Sequence, residues 1–159
     1  MTDDNVGRGL FTIVDREGEK QVCVYNGVRK NQCQIDKKYG AGNTRADYVL
    51  EIQNKKKDKI SYFIDADRTD SDGRYANSHA YRLDKFGKEM TPNCEYRDDG
   101  YIWSLRALKA GEEILIDYGK GYKWGPGVEE RFEKKKAEWA AKRKTAAQAA
   151  KTGKRKRKR

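Results

Sequence analysis

At Gly125-Pro126-Gly127 the chain changes character, and this break limits the possible folds more than any other feature. Before it, apolar residues come in short stretches, many β-branched or aromatic, each closed by turn formers. After it, residues 128–150 are dominated by Ala, Glu, Lys and Arg, all good helix formers. Many short strands followed by one helix imply a mainly β body with a basic α-helix at its C-terminal side.

Leu10-Phe-Thr-Ile-Val14 reads as a strand closed by Asp15-Arg16-Glu17-Gly18, and Val22-Cys-Val-Tyr25 alternates before the turn pair Asn26-Gly27. Residues 29–46 read as a loop or a poorly formed helix. Tyr48-Val-Leu-Glu-Ile52 and Ile60-Ser-Tyr-Phe-Ile64 flank the lysine-rich turn 55–59 as a hairpin. Residues 65–92 lack periodicity, and so long an irregular stretch in a small domain is more often functional than idle. Cys94-Glu-Tyr96, Tyr101-Ile-Trp-Ser-Leu105 and Glu113-Ile-Leu-Ile116 resume strand character, so about seven strands are predicted before residue 125. Beyond it, Val128, Phe132 and Trp139 form a stripe that can dock the start of the helix on the body. Past Lys142 the stripe is only Ala, and the helix is expected to fray into solvent. The run Lys154–Arg159 is expected to be disordered, because six adjacent cations repel one another and bury nothing. The expected division is a body over 1–124, a flanking helix over 125–150 and a tail over 151–159.

Charge separates the same parts. From Lys134 to Arg159 there are 13 basic residues and one acid, Glu138, whereas residues 1–133 hold 23 basic and 24 acidic residues. Two different jobs are expected of two such parts. The body is poor in aliphatic residues, so ten Tyr, four Phe and three Trp must supply much of its core. No run approaches the roughly 18 apolar residues of a membrane span, and the acidic start Met1-Thr-Asp-Asp4 speaks against a secretory signal. Cys23, Cys33 and Cys94 lack CxxC spacing, which supports neither a disulfide framework nor a four-ligand zinc site. With His79 as the single histidine, a His-rich metal centre is also excluded, and three free thiols fit a reducing compartment. There is neither a GxSxG elbow nor a phosphate loop ending in GK[ST].

Tyrosine and turn glycine carry the remaining signal. Gly7-Arg-Gly-Leu-Phe11, Tyr48-Val-Leu50, Tyr62-Phe-Ile-Asp-Ala66, Gly73-Arg-Tyr-Ala-Asn77, Pro92-Asn-Cys-Glu-Tyr96 and Leu108-Lys-Ala-Gly-Glu-Glu-Ile-Leu-Ile-Asp-Tyr-Gly119 follow one another. Each is weak alone, but the ordered set resembles the SET-domain family of protein lysine methyltransferases. It is similar to the compact histone methyltransferases and small virus-encoded SET proteins, over roughly residues 5–124. The resemblance implies a mainly β, SET-domain fold of short curved sheets, in which the segments around Asn77 and Tyr118 thread into a pseudoknot. It implies S-adenosylmethionine on one face and a substrate lysine entering from the other through a narrow channel.

Mapped onto this chain, the resemblance places the cofactor's amino-acid end at Gly7, Arg8 and Gly9, where glycine permits close approach. Tyr62, Asn77 and Ser78 add polar contacts. Trp124 stacks on the adenine or, equally, serves as a core or helix-docking residue. Tyr48, Tyr62 and Tyr118 are the implied catalytic residues, and Tyr48, Ile116, Tyr118 and Tyr122 the implied walls of the lysine channel. Such a channel favours a neutral amine by excluding water, so no strong base is needed. Ile116 stands where the family uses Tyr or Phe to limit methylation, and an aliphatic side chain there implies a di- or trimethyl product.

Three departures from the family pattern stand out. Ala76-Asn77-Ser78-His79 puts Ser where the family has His, which implies either weaker cofactor binding or His79 as a substitute after a local shift. Ala80–Thr91 is longer than the usual link and is a candidate for shaping substrate choice. No zinc module follows Asp117-Tyr118-Gly119, so the helix after Gly127 is expected to close the channel, and Cys94 to be a buried thiol. The basic end resembles a nuclear import signal, and the helix before it suits DNA phosphates. The expected partners are therefore a histone or histone-like substrate, nucleosomal DNA bound without sequence preference, and an import receptor. The expected location is the nucleus (a host nucleus or a virion for a viral protein). The alternatives are a SET-like chromatin-binding protein that has lost activity and a methyltransferase for a non-histone protein.

Overall fold

A computed structural model describes residues 8–41, 48–52, 62–97, 100–119, 122 and 124–156, with side chains described up to residue 148. In chain order the first elements are β1 (Gln21–Val24), β2 (Val28–Lys30), α1 (Gln32–Tyr39), β3 (Val49–Ile52) and β4 (Tyr62–Asp65). A 3-10 turn (Asp72–Tyr75) precedes β5 (Asn77–Ser78), β6 (Cys94–Tyr96), β7 (Tyr101–Ser104), β8 (Leu115–Ile116) and α2 (Val128–Lys156).

The strands form three small sheets. Two are antiparallel, in the orders β1-β7-β6 and β2-β4-β3, and the third is the parallel pair β5-β8. Asn77 pairs with Leu115 and Ser78 with Ile116, which brings together the two segments that the pseudoknot requires. The buried centre is Tyr25, Ala66, Ala76, Cys94, Ile102, Leu108, Ile114 and Ile116, contributed by all three sheets and their connections. Burial pushes the Cys94 thiol up to about 12, as befits an apolar interior.

Several elements depart from the sequence reading. Leu10–Val14 is not a strand: Phe11 bridges to Glu113, and Ile114 N–H donates to Leu10 O, but the chain then turns away and leaves Ile13 88% exposed. The turn pair Asn26-Gly27 leads from β1 in one sheet to β2 in another. The stretch read as loop or poor helix holds α1, started by a capping box in which Asn31 Oδ1 accepts from Gln34 N–H and Gln34 Oε1 from Asn31 N–H. The β3-β4 hairpin is present, with Leu50 opposite Ile64 and Ile52 opposite Tyr62. Its lysine-rich turn 55–59 lies outside the described residues.

The chain divides into two compact units, Met1–His79 with Thr91–Lys123, and Ala80–Met90 with Trp124–Arg159. In the second, the α2 stripe packs on the 80–90 segment. Phe132 is buried and lies 5.6 Å edge-on from Tyr81, and Trp139 lies against Gly87. Glu129 and Glu130 in the first turn of α2 suit the positive end of its dipole. The helix continues to Lys156, six residues past the expected end, and residues 157–159 lie outside the described range.

Candidate active site

Three chain segments bring tyrosines to the buried centre of the first unit. Tyr25 follows β1, Tyr48 precedes β3 and Tyr118 follows β8; Tyr48 and Tyr118 both pack on the cluster that contains Tyr25, Ala76 and Ile116. The Tyr25 hydroxyl donates to Tyr48 O at 2.9 Å, and the Tyr118 hydroxyl donates to Ala76 O at 2.9 Å. Tyr122 tilts against Tyr118 with ring centres 4.7 Å apart, and Tyr96 meets Tyr25 edge-on at 6.0 Å. Burial, then the neighbouring Tyr118, holds the Tyr25 phenol well above its ordinary range. Arg74 lies 4.2 Å over the Tyr48 ring, and its Nη1 donates to Ala66 O and Thr69 O.

Tyr62 stands apart from this group. Tyr48 O accepts from Ala66 N–H at one end of the β3-β4 ladder, whereas Tyr62 faces Ile52 at the other. Four residues of strand separate the two, about 13 Å of backbone rise. The Tyr62 ring is covered instead by Arg29, 3.8 Å away.

A polar cluster adjoins the tyrosines. Asn77 Nδ2 donates to Glu113 Oε1 at 2.9 Å and to Arg8 O at 3.4 Å. A Cβ on Gly9 would lie 2.9 Å from Glu113 Oε1 and from the Phe11 ring, so the carboxylate occupies the space a side chain would need. Gly7 lies outside the described residues. Ser78 is buried in its pairing with β8, and His79 points both its N–H and Nδ1 at Ile116 O, at 3.2 and 3.3 Å. His79 thus contacts the same strand that Ser78 pairs with. The tyrosine cluster and the polar cluster meet at one peptide, since Ala76 O accepts Tyr118 and the next residue, Asn77, holds Glu113.

Ile116 is 3% exposed and belongs to the core. Trp124 lies in the second unit, edge-on to Tyr81 at 5.2 Å, which is the packing of a helix-docking residue. Tyr25, Glu113 and Arg74 had no place in the sequence reading of the site. Each sat inside a quoted stretch, but their importance comes from partners distant in sequence.

Small sheets closed by a short parallel pair, with phenols and a glycine-bearing polar loop meeting beside it, are the arrangement expected of a SET-domain scaffold. The chain belongs to the SET domain family, whose profile matches residues 7–119. Members of this family are in general S-adenosylmethionine-dependent lysine methyltransferases. No curated protein matches the chain. The residues present fit that cofactor: beside Gly9, the Asn77 amide and the Glu113 carboxylate offer complementary groups for an amino-acid end bearing both an ammonium and a carboxylate.

Proposed function

We propose that this chain is an active protein lysine methyltransferase for histone or histone-like tails, held at chromatin by its basic C-terminal segment. The observation that supports the catalytic reading is that adjacent residues, Ala76 and Asn77, hold Tyr118 and Glu113; in this reading the amine lies beside the first and the donor beside the second. S-adenosylmethionine, held by Arg8, Gly9 and Asn77, supplies a methyl group on a positively charged sulfur. The walls formed by Tyr48, Tyr118 and Tyr122, with Tyr25 behind them, strip water from the lysine ammonium. That favours the neutral amine of a group whose pKa in water is about 10.4. Tyr118 gives its proton to Ala76 O, so its oxygen is left to accept an amine N–H and turn the nitrogen lone pair toward the methyl group. Burial keeps Tyr25 protonated, so it is not the base, and the lysine proton leaves to water before transfer. Tyr62, beside Arg29, has no part in this reading, and Trp124 is assigned to helix packing.

Ile116 holds no water against the amine, which leaves room for further methyl groups and extends the product to di- or trimethyl-lysine. Mass spectrometry after exhaustive reaction is expected to find those states; monomethyl-lysine alone would overturn this. The cationic segment after Glu138 supports a non-specific DNA tether, recognition by an import receptor and a nuclear location. The test of function is tritiated donor with core histones and nucleosomes, for wild type and Tyr118→Phe. Label is expected on histone from wild type only. Undiminished label from Tyr118→Phe removes the catalytic assignment, and donor binding without turnover by wild type returns the protein to an inactive chromatin-binding role.

A further inference from the structure

The second unit carries the whole net charge of the chain. It holds 17 basic and 6 acidic residues, a net of +11, whereas the first unit holds 19 of each. Within it, Leu83 bridges to Glu89 across a tight turn. Asp84 Oδ1 accepts from Phe86 N–H at 2.8 Å and Lys88 N–H at 2.9 Å, and Gly87 N–H donates to Asp84 O at 3.0 Å. Gly87 has φ +73, and a Cβ there would lie 2.8 Å from the Trp139 ring, so only glycine seats the turn on α2 this closely. An ion pair from Lys136 to Glu89 at 2.5 Å fastens the same turn to the helix.

Phe86 sits at the tip, 64% exposed, with the Lys85 ammonium 5.1 Å from its ring centre and Lys88 two residues on. A single exposed phenyl is common on protein surfaces. This one is fixed on a braced turn, with Lys85 beside its ring and Lys88 on the same turn, in the unit that holds all the net positive charge. The other aromatic rings described in this unit are engaged: Tyr81 meets Trp124 and Phe132, and Trp139 lies under Gly87. Single-strand binders use a succession of ring platforms. One rigid apolar tip among cations suits a wedge that parts two base pairs of a duplex.

We propose that this unit binds duplex DNA with Phe86 inserted between base pairs, while Lys85, Lys88 and the α2 cations Lys142, Arg143 and Lys144 take the flanking phosphates. At 29 residues α2 is about 43 Å long, enough to follow a backbone over roughly a helical turn of DNA. The inference rests on the DNA tether proposed above and assigns it a residue and a mode.

The full-length protein is titrated onto a duplex of about 20 base pairs, dye-labelled at both ends, at salt from about 50 to 200 mM. Wild type is expected to bind and to shorten the end-to-end distance. Phe86→Ala is expected to bind about tenfold more weakly, as for loss of one base-stacking contact, and to leave the duplex straight. Its salt dependence is expected to stay that of wild type, because no charge has changed, and unchanged thermal melting verifies the fold. Lys85→Gln with Lys88→Gln is expected to lower the slope of log affinity against log salt by about 2 while the bend persists. Wild-type bending and affinity in Phe86→Ala would overturn the wedge and leave the tether standing; absence of duplex binding by wild type at about 50 mM salt would overturn both. A preference for single strands or an acidic peptide over duplex would also overturn it. None of these readings needs the methyl donor, so a failure of methyl transfer does not enter them.

Discussion

Deleting one oxygen from Tyr118 removes both its bond to Ala76 and the acceptor proposed for the amine, but leaves the ring against Tyr122. Tyr118→Phe is therefore expected to lower kcat by about 10²-fold, a loss of positioning, with calorimetric affinity for S-adenosylhomocysteine unchanged. Gly9→Ala acts on the opposite side of the peptide, forcing Glu113 off Asn77. Affinity for the same ligand is expected to fall about tenfold, roughly the net worth of one hydrogen bond. Because burial and Tyr118 hold the Tyr25 phenol above its ordinary value, Tyr25 stays neutral throughout the range in which lysine deprotonates. The pH profile of kcat/KM is expected to rise through pH 9 as lysine deprotonates, and Tyr25→Phe is expected to leave its shape unchanged, because Tyr25 does not ionise in that range. Tyr48, Tyr118, Asn77 and Gly9 were legible in the sequence because they stand in short turn-bounded motifs. Tyr25 and Glu113 were not, because one reads locally as the end of an alternating strand and the other as half of an acidic pair before an apolar run.

Among the elements, α1 was the hardest to read. Ile35 is its only buried residue, so no apolar stripe announces it, and the local cue is the Asn31-x-x-Gln34 capping box. What holds α1 in place is a charge on the face of β4 opposite Ile64. Asp65 is buried and accepts from Lys38 Nζ at 2.8 Å and Tyr39 Oη at 2.8 Å. Burial pushes its carboxyl up, but the Lys38 ammonium and Tyr39 hydroxyl outweigh it and leave the pKa below the ordinary value. A carboxylate depressed in the fold stabilises fully above the unfolded value, about 3.9, and its contribution fades as pH falls below that. Asp65→Asn is expected to cost about 2 kcal/mol at pH 7 and to flatten the acid limb of stability in urea melts between pH 7 and 2. The strand at Leu10–Val14 was over-read for a related reason. β-branched composition describes a tendency to extend, but only Leu10–Thr12 finds a partner, along Glu112–Ile114. The β3-β4 hairpin and strands β6 and β7 were legible because each alternates between clear turns.

At the scale of the molecule, charge is partitioned as cleanly as structure. Ending the chain at Ala141 removes ten cations and no acid while keeping Phe132 and Trp139. The shortened protein is expected to methylate free histones at the wild-type rate and to lose any preference for nucleosomes. Raising salt from about 50 to 200 mM is expected to erase the same preference in the full chain. The pairing pattern carries a further consequence. Asp15 bonds to Ala110 across 95 positions and Lys20 to Ser104 across 84, so the beginning of the first unit is stitched to its end. On a ribosome adding about 5–20 residues per second, the first strand waits several seconds for its neighbour, with its edges bare. Such high contact order makes closure slow and keeps unpaired strand edges exposed until the unit is nearly complete. A prematurely terminated product can still join Tyr25 to Tyr48, but it lacks the hydroxyl that Tyr118 brings to Ala76 once the far end arrives.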